Sequence, residues 1–326
     1  TYAQGSGGVF STTSGTSWGP KISELPNDAT YGGNTDNEYT QKFGKQQGKY
    51  YVPQRAAAGL DPWATPQAYD NAKDFFDTGI TWSNSLNVAQ MLDKSSYSIS
   101  LGNTHQDGII SSTGMDRYNV KVSADTKLTN NWSSGFTANY ITTSIDKAVT
   151  SGNGLLRTVY AAPPSYDLAG IPSHVDGNPY TQNSFRGSFD NAYWAMDNNK
   201  FTEDTNRFFG NVYASYQTDF GTTNHKLNAK YMVGVDAYTT HYVDSYGYGS
   251  NTGGGRGQIE NYGWTNATYN SLLTINYDWR INEDWGLNAV LGNEIIQSNR
   301  KKYYEYGTNY NFPGWNHINN ATTQQT

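Results

Sequence analysis

Residues 225–243, HKLNAKYMVGVDAYTTHYV, alternate over most of their length between apolar and polar side chains. Val233 and Val235 fall on one parity, whereas Lys230 and Asp236 fall on the other. Successive side chains of a β-strand point to opposite faces, so the pattern predicts one strand with an apolar face and a mostly polar face. This strand exceeds the roughly 5 to 6 residues usual in soluble proteins and is long enough for the roughly 9 to 11 that cross a membrane at a tilt.

Composition favours strands and turns over helices. The 326 residues include 27 Tyr, 34 Gly and 9 Trp, and only 36% are hydrophobic and 15% charged. Average soluble domains carry roughly 25% charged residues, so a thin apolar layer beside a wet polar face explains the balance better than a thick core. The net charge of −6 without a basic cluster argues against nucleic acid as a partner. The absence of Cys excludes thiol catalysis, zinc fingers and disulfide frameworks.

The same alternation recurs along most of the chain. The first seventy or so residues are rich in Gly, Ser, Thr and Asn and are expected to form irregular loop. About eight strands are predicted after them. They lie at about 80–91, 95–106, 116–128, 131–144, 206–220, 225–243, 264–280 and 284–305.

The connections between these strands alternate strictly in length. Tight turns near 93, 129, 221 and 282 alternate with longer connections at DGIISSTGM, at 145–205 and at about 244–263. In an up-and-down antiparallel sheet this places every short turn at one end, which is the asymmetry of bacterial outer-membrane barrels. The predicted organisation is therefore an extracellular loop region at 1–79, barrel strands at 80–305 and a further extracellular loop at 306–326.

Aromatic residues cluster beside the predicted short turns. Trp132, Phe220, Trp279 and Trp285 each share the parity of the apolar face of their own strand. Such rings are expected at the level of the lipid headgroups, so they predict a girdle at the short-turn end. The apolar face is then expected to contact lipid and the polar face to line a wet lumen. The alternative is a large soluble β-sandwich with Tyr at the sheet edges.

Several segments resemble consecutive barrel segments of SusC-like TonB-dependent transporters, in the same order through most of the chain. The stretch from 74 to 145 is the most specific part of the resemblance. The segments are TSWGPK at 16–21, DFFDTGITWSNSLNV at 74–88, YSISLGNTHQDGII at 97–110 followed by DRYNVKVSADTKLTNNWSSGFTANY, and NAYWAMDNN before TNRFFGNVYASYQ.

The resemblance implies part of an all-β, antiparallel transmembrane barrel of about 22 strands in the outer membrane of a Gram-negative bacterium. It also implies import of oligosaccharides or peptides beneath a SusD-like surface lipoprotein, with energy relayed by TonB through a plug domain. This sequence shows no plug domain, no TonB-contacting segment and only about eight of the strands. It is therefore expected to be an internal portion of such a transporter.

No catalytic residue, cofactor or metal site is expected. The five His residues are dispersed, without HExxH or another paired ligand spacing, and the acidic loop at 197–204 lacks the spacing and Gly of a known calcium loop. No Ser, His and acid arrangement can be identified. The chain is therefore not expected to be an enzyme.

Aromatic residues of the long loops are candidates for contact with cargo or with the lipoprotein. Rings that combine an apolar face with a polar tip suit stacking on sugars and packing on peptide side chains. The competing interpretation, which we favour, is that they pack the loops together or against the lipoprotein. The residues are Tyr160, Tyr166, Tyr193, Trp194, Tyr246 and Tyr248.

Two other functions fit the same strands. Eight strands can close a small barrel, which would serve as an adhesin or a structural outer-membrane protein. The connection at 145–205 is very long for such a barrel. The third possibility is a secreted β-sandwich that binds glycans.

Overall fold

The computed structural model describes residues 1–149 and 154–325. Strands dominate this part of the chain. In chain order they are β1 (Gly5–Ser6), β2 (Val9–Phe10), β3 (Tyr50–Tyr51), β4 (Trp63–Ala64), β5 (Thr81–Met91), β6 (Ser95–Asp107), β7 (Gly114–Lys127), β8 (Trp132–Lys147), β9 (His174–Val175), β10 (Asn178–Gln182), β11 (Lys200–Thr218), β12 (His225–Tyr246), β13 (Gln258–Arg280), β14 (Gly286–Tyr310) and β15 (Ala321–Gln325).

The helices are all short. None of those in the described ranges is long and apolar enough to cross a membrane. They are α1 (Glu38–Phe43), α2 (Pro53–Ala57), α3 (Asn71–Phe75), α4 (Leu155–Ala161) and α5 (Ala192–Asn198), together with 3₁₀ turns at Ile22–Asn27 and Ile318–Asn320.

Nine of the strands form one antiparallel sheet. Its order is β5-β6-β7-β8-β11-β12-β13-β14-β15, so each strand pairs with the next sheet strand along the chain. The strands lengthen across the sheet, from 11 residues in β5 to 25 in β14. In the described residues β5 and β15 are the two edges and do not pair with each other, so the sheet is open.

All eight predicted strands are confirmed, and several extend further than expected. β11 begins at Lys200, β13 begins at Gln258 and β14 ends at Tyr310. These extensions lack apolar alternation, because both faces carry polar side chains there. For the same reason the ninth strand, Ala321–Gln325, was not predicted; its sequence is ATTQQ, and it lies inside the region expected to be loop.

The short connections collect at one end of the sheet, as predicted. They are 92–94, 128–131, 219–224 and 281–285. At the opposite end, 148–199, 247–257 and 311–320 are longer, but 108–113 is no longer than 219–224. The predicted strict alternation in length is therefore wrong at this one loop, because β6 and β7 continue further toward it than the sequence pattern indicated.

Side chains of the turn residues fix the tight connections. The Asn282 Oδ1 atom accepts from the backbone N–H groups of Asp284 and Trp285 at 2.9 and 2.8 Å. The Thr129 Oγ1 atom accepts from the Trp132 N–H at 3.0 Å. These are the local side-chain to backbone bonds by which Asn and Thr favour turns. They place Trp132 at the first residue of β8 and Trp285 directly before β14.

The first seventy or so residues were expected to be irregular loop, but residues 1–79 form a compact unit with residues 154–199. We call residues 1–79 and 154–199 together the loop body. Its apolar core joins Leu25, Leu168 and Phe185, each no more than 1% exposed. Its elements are too short to give a helical or strand period, so only the fold brings these distant residues together.

Hydrogen bonds between distant segments complete the loop body. The Gln4 side chain donates to the Phe185 carbonyl at 2.8 Å, and the Tyr50 hydroxyl donates to the Ser165 carbonyl at 2.9 Å. The isolated bridge between Phe76 and Ile110 ties the loop body to the long-loop end of the sheet. The loop body therefore covers one end of the sheet as a folded unit.

Replacement of Phe185 by Ala should loosen the loop body and leave the sheet intact. Phe185 is fully buried and its ring packs on Tyr166 at 5.4 Å, so truncation should cost about 3–5 kcal/mol. We expect faster hydrogen exchange in residues 1–79 and 154–199 of the full-length protein and unchanged exchange in β11–β13. Tyr160→Ala, at a 69% exposed ring, is the control. Equal exchange in the two variants would contradict a shared core.

Candidate functional site

The sheet has one apolar face that is open along most of its width. Strand register aligns apolar side chains across neighbouring strands, and many of them are more than 40% exposed. A sheet face of this size with no covering layer needs a partner, because soluble proteins rarely expose large contiguous apolar patches. One row of paired residues runs through Leu86, Leu101, Val120, Tyr140, Phe208, Ala237 and Ala267.

The apolar face forms a band at the short-turn end rather than covering whole strands. In β8 it spans 132–140, in β11 208–216 and in β14 287–295, or about nine residues in each. At about 3.3 Å per residue and a tilt of about 40°, nine residues rise about 23 Å, close to the roughly 25 Å apolar band of membrane barrels. Beyond the band the same face turns polar, as Asp204 and Asn206 show.

Aromatic rings lie along the short-turn border of this band. Trp132 begins β8, Trp279 lies near the end of β13, and Phe220 and Trp285 lie in the two adjoining turns. All four are exposed, from 37% for Trp279 to 70% for Trp285. The predicted girdle residues therefore lie at one level of the sheet.

A second aromatic border, which the sequence analysis missed, lies along the opposite side of the band. The rings are at least 43% exposed, and the Tyr140 hydroxyl donates to Asn206 Oδ1 at 3.0 Å, where the face becomes polar. Strand parity alone could have revealed this border, since Tyr118, Tyr140 and Phe208 each end the apolar run of their strand and only Ala267 follows Tyr269 on its strand. The residues are Tyr118, Tyr140, Phe208 and Tyr269.

The other face of the sheet is polar and internally paired. Arg207 donates to both carboxylate oxygens of Asp236, at 2.8 and 2.6 Å. The Tyr213 hydroxyl donates to Asp125 at 2.6 Å, and the Lys230 ammonium lies 4.2 Å from the centre of the same Tyr ring. Arg207 and Asp236 are each more than a third exposed, so their ion pair stabilises the fold by at most about 1 kcal/mol.

Toward the long-loop end the polar face carries an aromatic belt, which we define as Tyr242, Tyr262, Trp264 and Tyr304. Register pairs Tyr242 with Tyr262 and Tyr262 with Tyr304. The rings of Tyr242 and Tyr262 stack at 4.9 Å with 7° between their planes. Trp264 lies 5.4 Å from Tyr242. The belt thus offers ring faces across three strands of the polar face.

Charges of both signs surround the belt. Lys147 lies 4.6 Å from the Tyr242 ring centre and 3.3 Å from Glu203, and the Arg300 guanidinium lies 4.8 Å from Trp264. The Tyr262 hydroxyl donates to Asp244 at 3.0 Å. An amphipathic ligand with hydrogen-bonding groups would find both ring faces and charges here.

A cavity of about 400 Å³ opens where the loop body meets the sheet. It combines apolar side chains of the loop body with charged groups from the strand ends, so it is neither a dry core nor a purely ionic site. Its lining includes Lys147, Leu155, Asp190, Met196, Phe201 and Tyr246.

The predicted loop aromatics divide into buried and accessible residues. Trp194 is fully buried and donates through Nε1 to the Pro179 carbonyl at 2.9 Å, and Tyr166 is 3% exposed against Phe185. Burial raises the pKa of the Tyr166 hydroxyl. Partial burial also raises the pKa of Tyr193, which packs edge-on to Phe75 at 5.2 Å. In this structure Tyr166 and Trp194 have no surface to offer a ligand.

The other three predicted aromatics are accessible at least in part. Tyr160 is 69% exposed on α4. Tyr246 lines the cavity and packs edge-on to Phe201 at 5.2 Å. Tyr248 packs against the small apolar cluster formed by Ile259, Tyr310 and Ala321. Contact of these rings with cargo stays a prediction, and the structure does not bring the six aromatics together in one site.

Asp190 fastens the 247–257 loop over the cavity. Its carboxylate accepts from Ser250 Oγ at 2.6 Å, from the Asn251 N–H at 2.7 Å and from Gln182 Nε2 at 2.6 Å. The residue is 7% exposed, so its charge is stabilised by these three donors rather than by water. Sequence reasoning missed Asp190, because its partners lie 8 to 61 positions away.

Asp190→Asn should release the 247–257 loop. The amide keeps the size of the side chain but turns an NH₂ group toward donors, so we expect a loss of about 1–3 kcal/mol in local stability. Hydrogen exchange of residues 247–257 in the full-length protein measures it. Asp197→Asn, on the exposed side of α5, is the matched control. If both variants protect the loop as the parent does, Asp190 does not fasten it.

Residues 1–149 and 154–325 contain no group of three or more His, Asp or Glu side chains that could hold a metal ion.

Comparison with known proteins rests on structure alone. No protein-family model matches the chain, and no curated protein matches it. The RagAB peptide transporter aligns with a TM-score of 0.62 and 15% identity, over 79% of this chain and 28% of that chain. The RagAB peptide importer aligns with TM-scores of 0.60 in its closed-closed state and 0.58 in its open-open state, at 16% and 15% identity.

These similarities show the fold. The protein is an all-β chain whose long antiparallel strands form a barrel-like sheet, and the fold is that of part of the RagAB transporter structures. The chain spans less than a third of the length of the chains that it matches. A β-sandwich consists of two stacked sheets, whereas the long strands in the described residues form one sheet. The topology therefore contradicts the sandwich alternative.

Proposed function

We propose that this chain forms part of the wall and outer mouth of a SusC-like nutrient importer in the outer membrane of a Gram-negative bacterium. The observation that carries the proposal is the exposed apolar band of about nine residues, bordered by aromatic rings on both sides and opposed by a polar, ion-paired face. The fold shared with the RagAB peptide transporter supports the same role.

In this role the apolar band, the polar face and the loop body have different functions. The apolar band contacts lipid, and the polar face with its aromatic belt lines the lumen. The loop body lies on the extracellular side, where a surface lipoprotein of the SusD-like kind would sit. A plug domain in another part of the protein would couple import to TonB, and the cargo would be peptides or oligosaccharides.

A stand-alone small barrel that acts as an adhesin is the second candidate. It requires the first and last sheet strands to pair, whereas β5 and β15 are separate edges in the described residues. The open sheet therefore favours a wall segment of a larger barrel.

The orientation of the two faces can be tested with adjacent positions of β12. The chain contains no Cys, and Met232 and Val233 are neighbouring apolar residues on opposite faces. In native membranes we expect a water-soluble maleimide to label Met232→Cys and to leave Val233→Cys unlabelled, because lipid covers the apolar band. Labelling of both variants after denaturation is the control. Labelling of Val233→Cys in intact membranes would exclude lipid contact at this band.

The importer role needs a test of its own. The protein purified from native outer membranes should have a mass several times the 36.1 kDa of this chain and should carry a bound lipoprotein. A deletion strain should lose growth on peptides or on oligosaccharides as carbon source and keep growth on glucose. A 36.1 kDa protein without a partner would favour the small barrel instead.

A further inference from the structure

Three exposed rings stack at the tip of the connection between β14 and β15. Phe312 and Trp315 are 51% and 44% exposed, and His317 is exposed as well. Their ring centres are 5.9 Å apart from Phe312 to Trp315 and 5.1 Å apart from Trp315 to His317, with 16° and 4° between the planes. We call these three residues the ring ladder. Its members are offset, so each ring leaves part of its face to solvent.

Buried amide groups hold the ring ladder in place. Asn320 is fully buried, and its Nδ2 atom donates to the carbonyls of Phe312 and Trp315, both at 2.8 Å. Asn316 donates to the Asn198 carbonyl at 2.8 Å, which anchors the tip to the end of α5. The rings are therefore fixed before any ligand arrives, and a ligand would lose little free energy in ordering them.

The third ring is fixed in one tautomer. The Nδ1 atom of His317 accepts from the Asn319 N–H at 3.1 Å, so its proton lies on Nε2. Gly314 provides the turn between the first two rings, with φ of 84° and no room for a side chain beside Tyr180. The ladder thus presents two apolar rings and one imidazole ring whose Nδ1 atom is occupied by a backbone N–H.

The segment that carries the ladder has no charged side chain of its own. Residues 306–326 contain no Asp, Glu, Lys or Arg, but they include five Asn and two Gln. This composition contrasts with the aromatic belt, which has Lys147, Glu203 and Arg300 beside it. The Arg256 guanidinium of the neighbouring loop donates to the Tyr310 carbonyl at 3.2 Å. Within 306–326 itself, charged peptide ends, phosphates and anionic lipid headgroups would find no counter-charge to compensate their desolvation.

We propose that the ring ladder is a binding surface for neutral oligosaccharides. The C–H faces of pyranose rings are apolar and stack on exposed aromatic rings, while their hydroxyls donate to and accept from amide side chains. The ladder has stacking surfaces for more than one sugar ring, and the exposed Asn319 supplies an amide next to them. The amides of Asn311 and Asn316 already donate to the carbonyls of Asn320 and Asn198. The proposal rests on the proposed function only for placing the ladder at the cell surface, and it names a cargo class for the importer.

The test measures binding rather than transport, so the two proposals can fail separately. Isothermal titration of the purified full-length protein would use maltohexaose, cellohexaose and mannohexaose as probes, with a charged hexapeptide, Lys-Ala-Ala-Ala-Ala-Glu, as comparison. Trp315→Ala removes the central ring, and Trp315→Phe keeps a ring in its place. Trp18→Ala, at a 71% exposed Trp of the loop body, is the matched control.

We expect at least one hexasaccharide to bind, with affinity about tenfold weaker in Trp315→Ala, because this variant loses the central stacking surface. Trp315→Phe should bind with intermediate affinity, and Trp18→Ala should bind like the parent. A circular dichroism spectrum and hydrogen exchange of 311–320 that match the parent would exclude misfolding as the cause.

Three results would overturn the proposal. The first is that no hexasaccharide binds the parent protein. The second is that both Trp315→Ala and Trp18→Ala bind sugar with the affinity of the parent. The third is that the charged hexapeptide binds the parent and loses affinity in Trp315→Ala. Loss of a copurifying protein in Trp315→Ala, with sugar binding unchanged, belongs to the second result and would identify the ladder as a protein-docking surface. Sugar binding without import would uphold the ladder and remove the importer role.

Discussion

The register between neighbouring strands is the constraint on which the rest of this structure depends. Pairs such as Phe136 with Val212 and Val212 with Val233 keep one parity of every strand on the apolar face. A slip of one residue would move the whole set to the opposite face and bring Lys230 and Asp236 onto the apolar side. If that side contacts lipid, the misplaced Lys alone would cost about 2–4 kcal/mol at mid-depth. The two faces therefore fix the register as firmly as the tight turns do.

Strand length separates two levels of the molecule. The apolar band takes about nine residues of each strand, whereas β14 has 25 and rises roughly 80 Å along its own direction at about 3.3 Å per residue. The remaining length carries polar residues on both faces, and there the sheet supports the aromatic belt, the cavity and the loop body. The lower level has an apolar face that is exposed in this structure, whereas the upper level is defined by contacts within the chain.

This division also explains what could be predicted from sequence. Alternation and turn chemistry are local signals, so they predicted the eight strands and the short-turn end, and they placed the exposed rings of Trp132, Phe220, Trp279 and Trp285 at that end. The loop body has no such signal, because Leu25 meets Leu168 and Phe185 only across more than a hundred residues of chain. For the same reason sequence reasoning selected Trp194, which is buried, and overlooked the exposed Trp315.

The upper level presents two surfaces of different chemistry. At the aromatic belt Lys147 and Glu203 pair beside stacked Tyr rings, whereas the segment that carries the ring ladder is rich in Asn and has no charged side chain. A neutral, polyhydroxylated ligand can stack on the rings at both places. At the ring ladder its binding does not require an ion pair such as Lys147–Glu203 to be broken. A charged ligand gains at the belt only. If both surfaces serve one cargo, the uncharged ladder is the more selective of the two, since it offers a charged ligand no compensation for lost hydration.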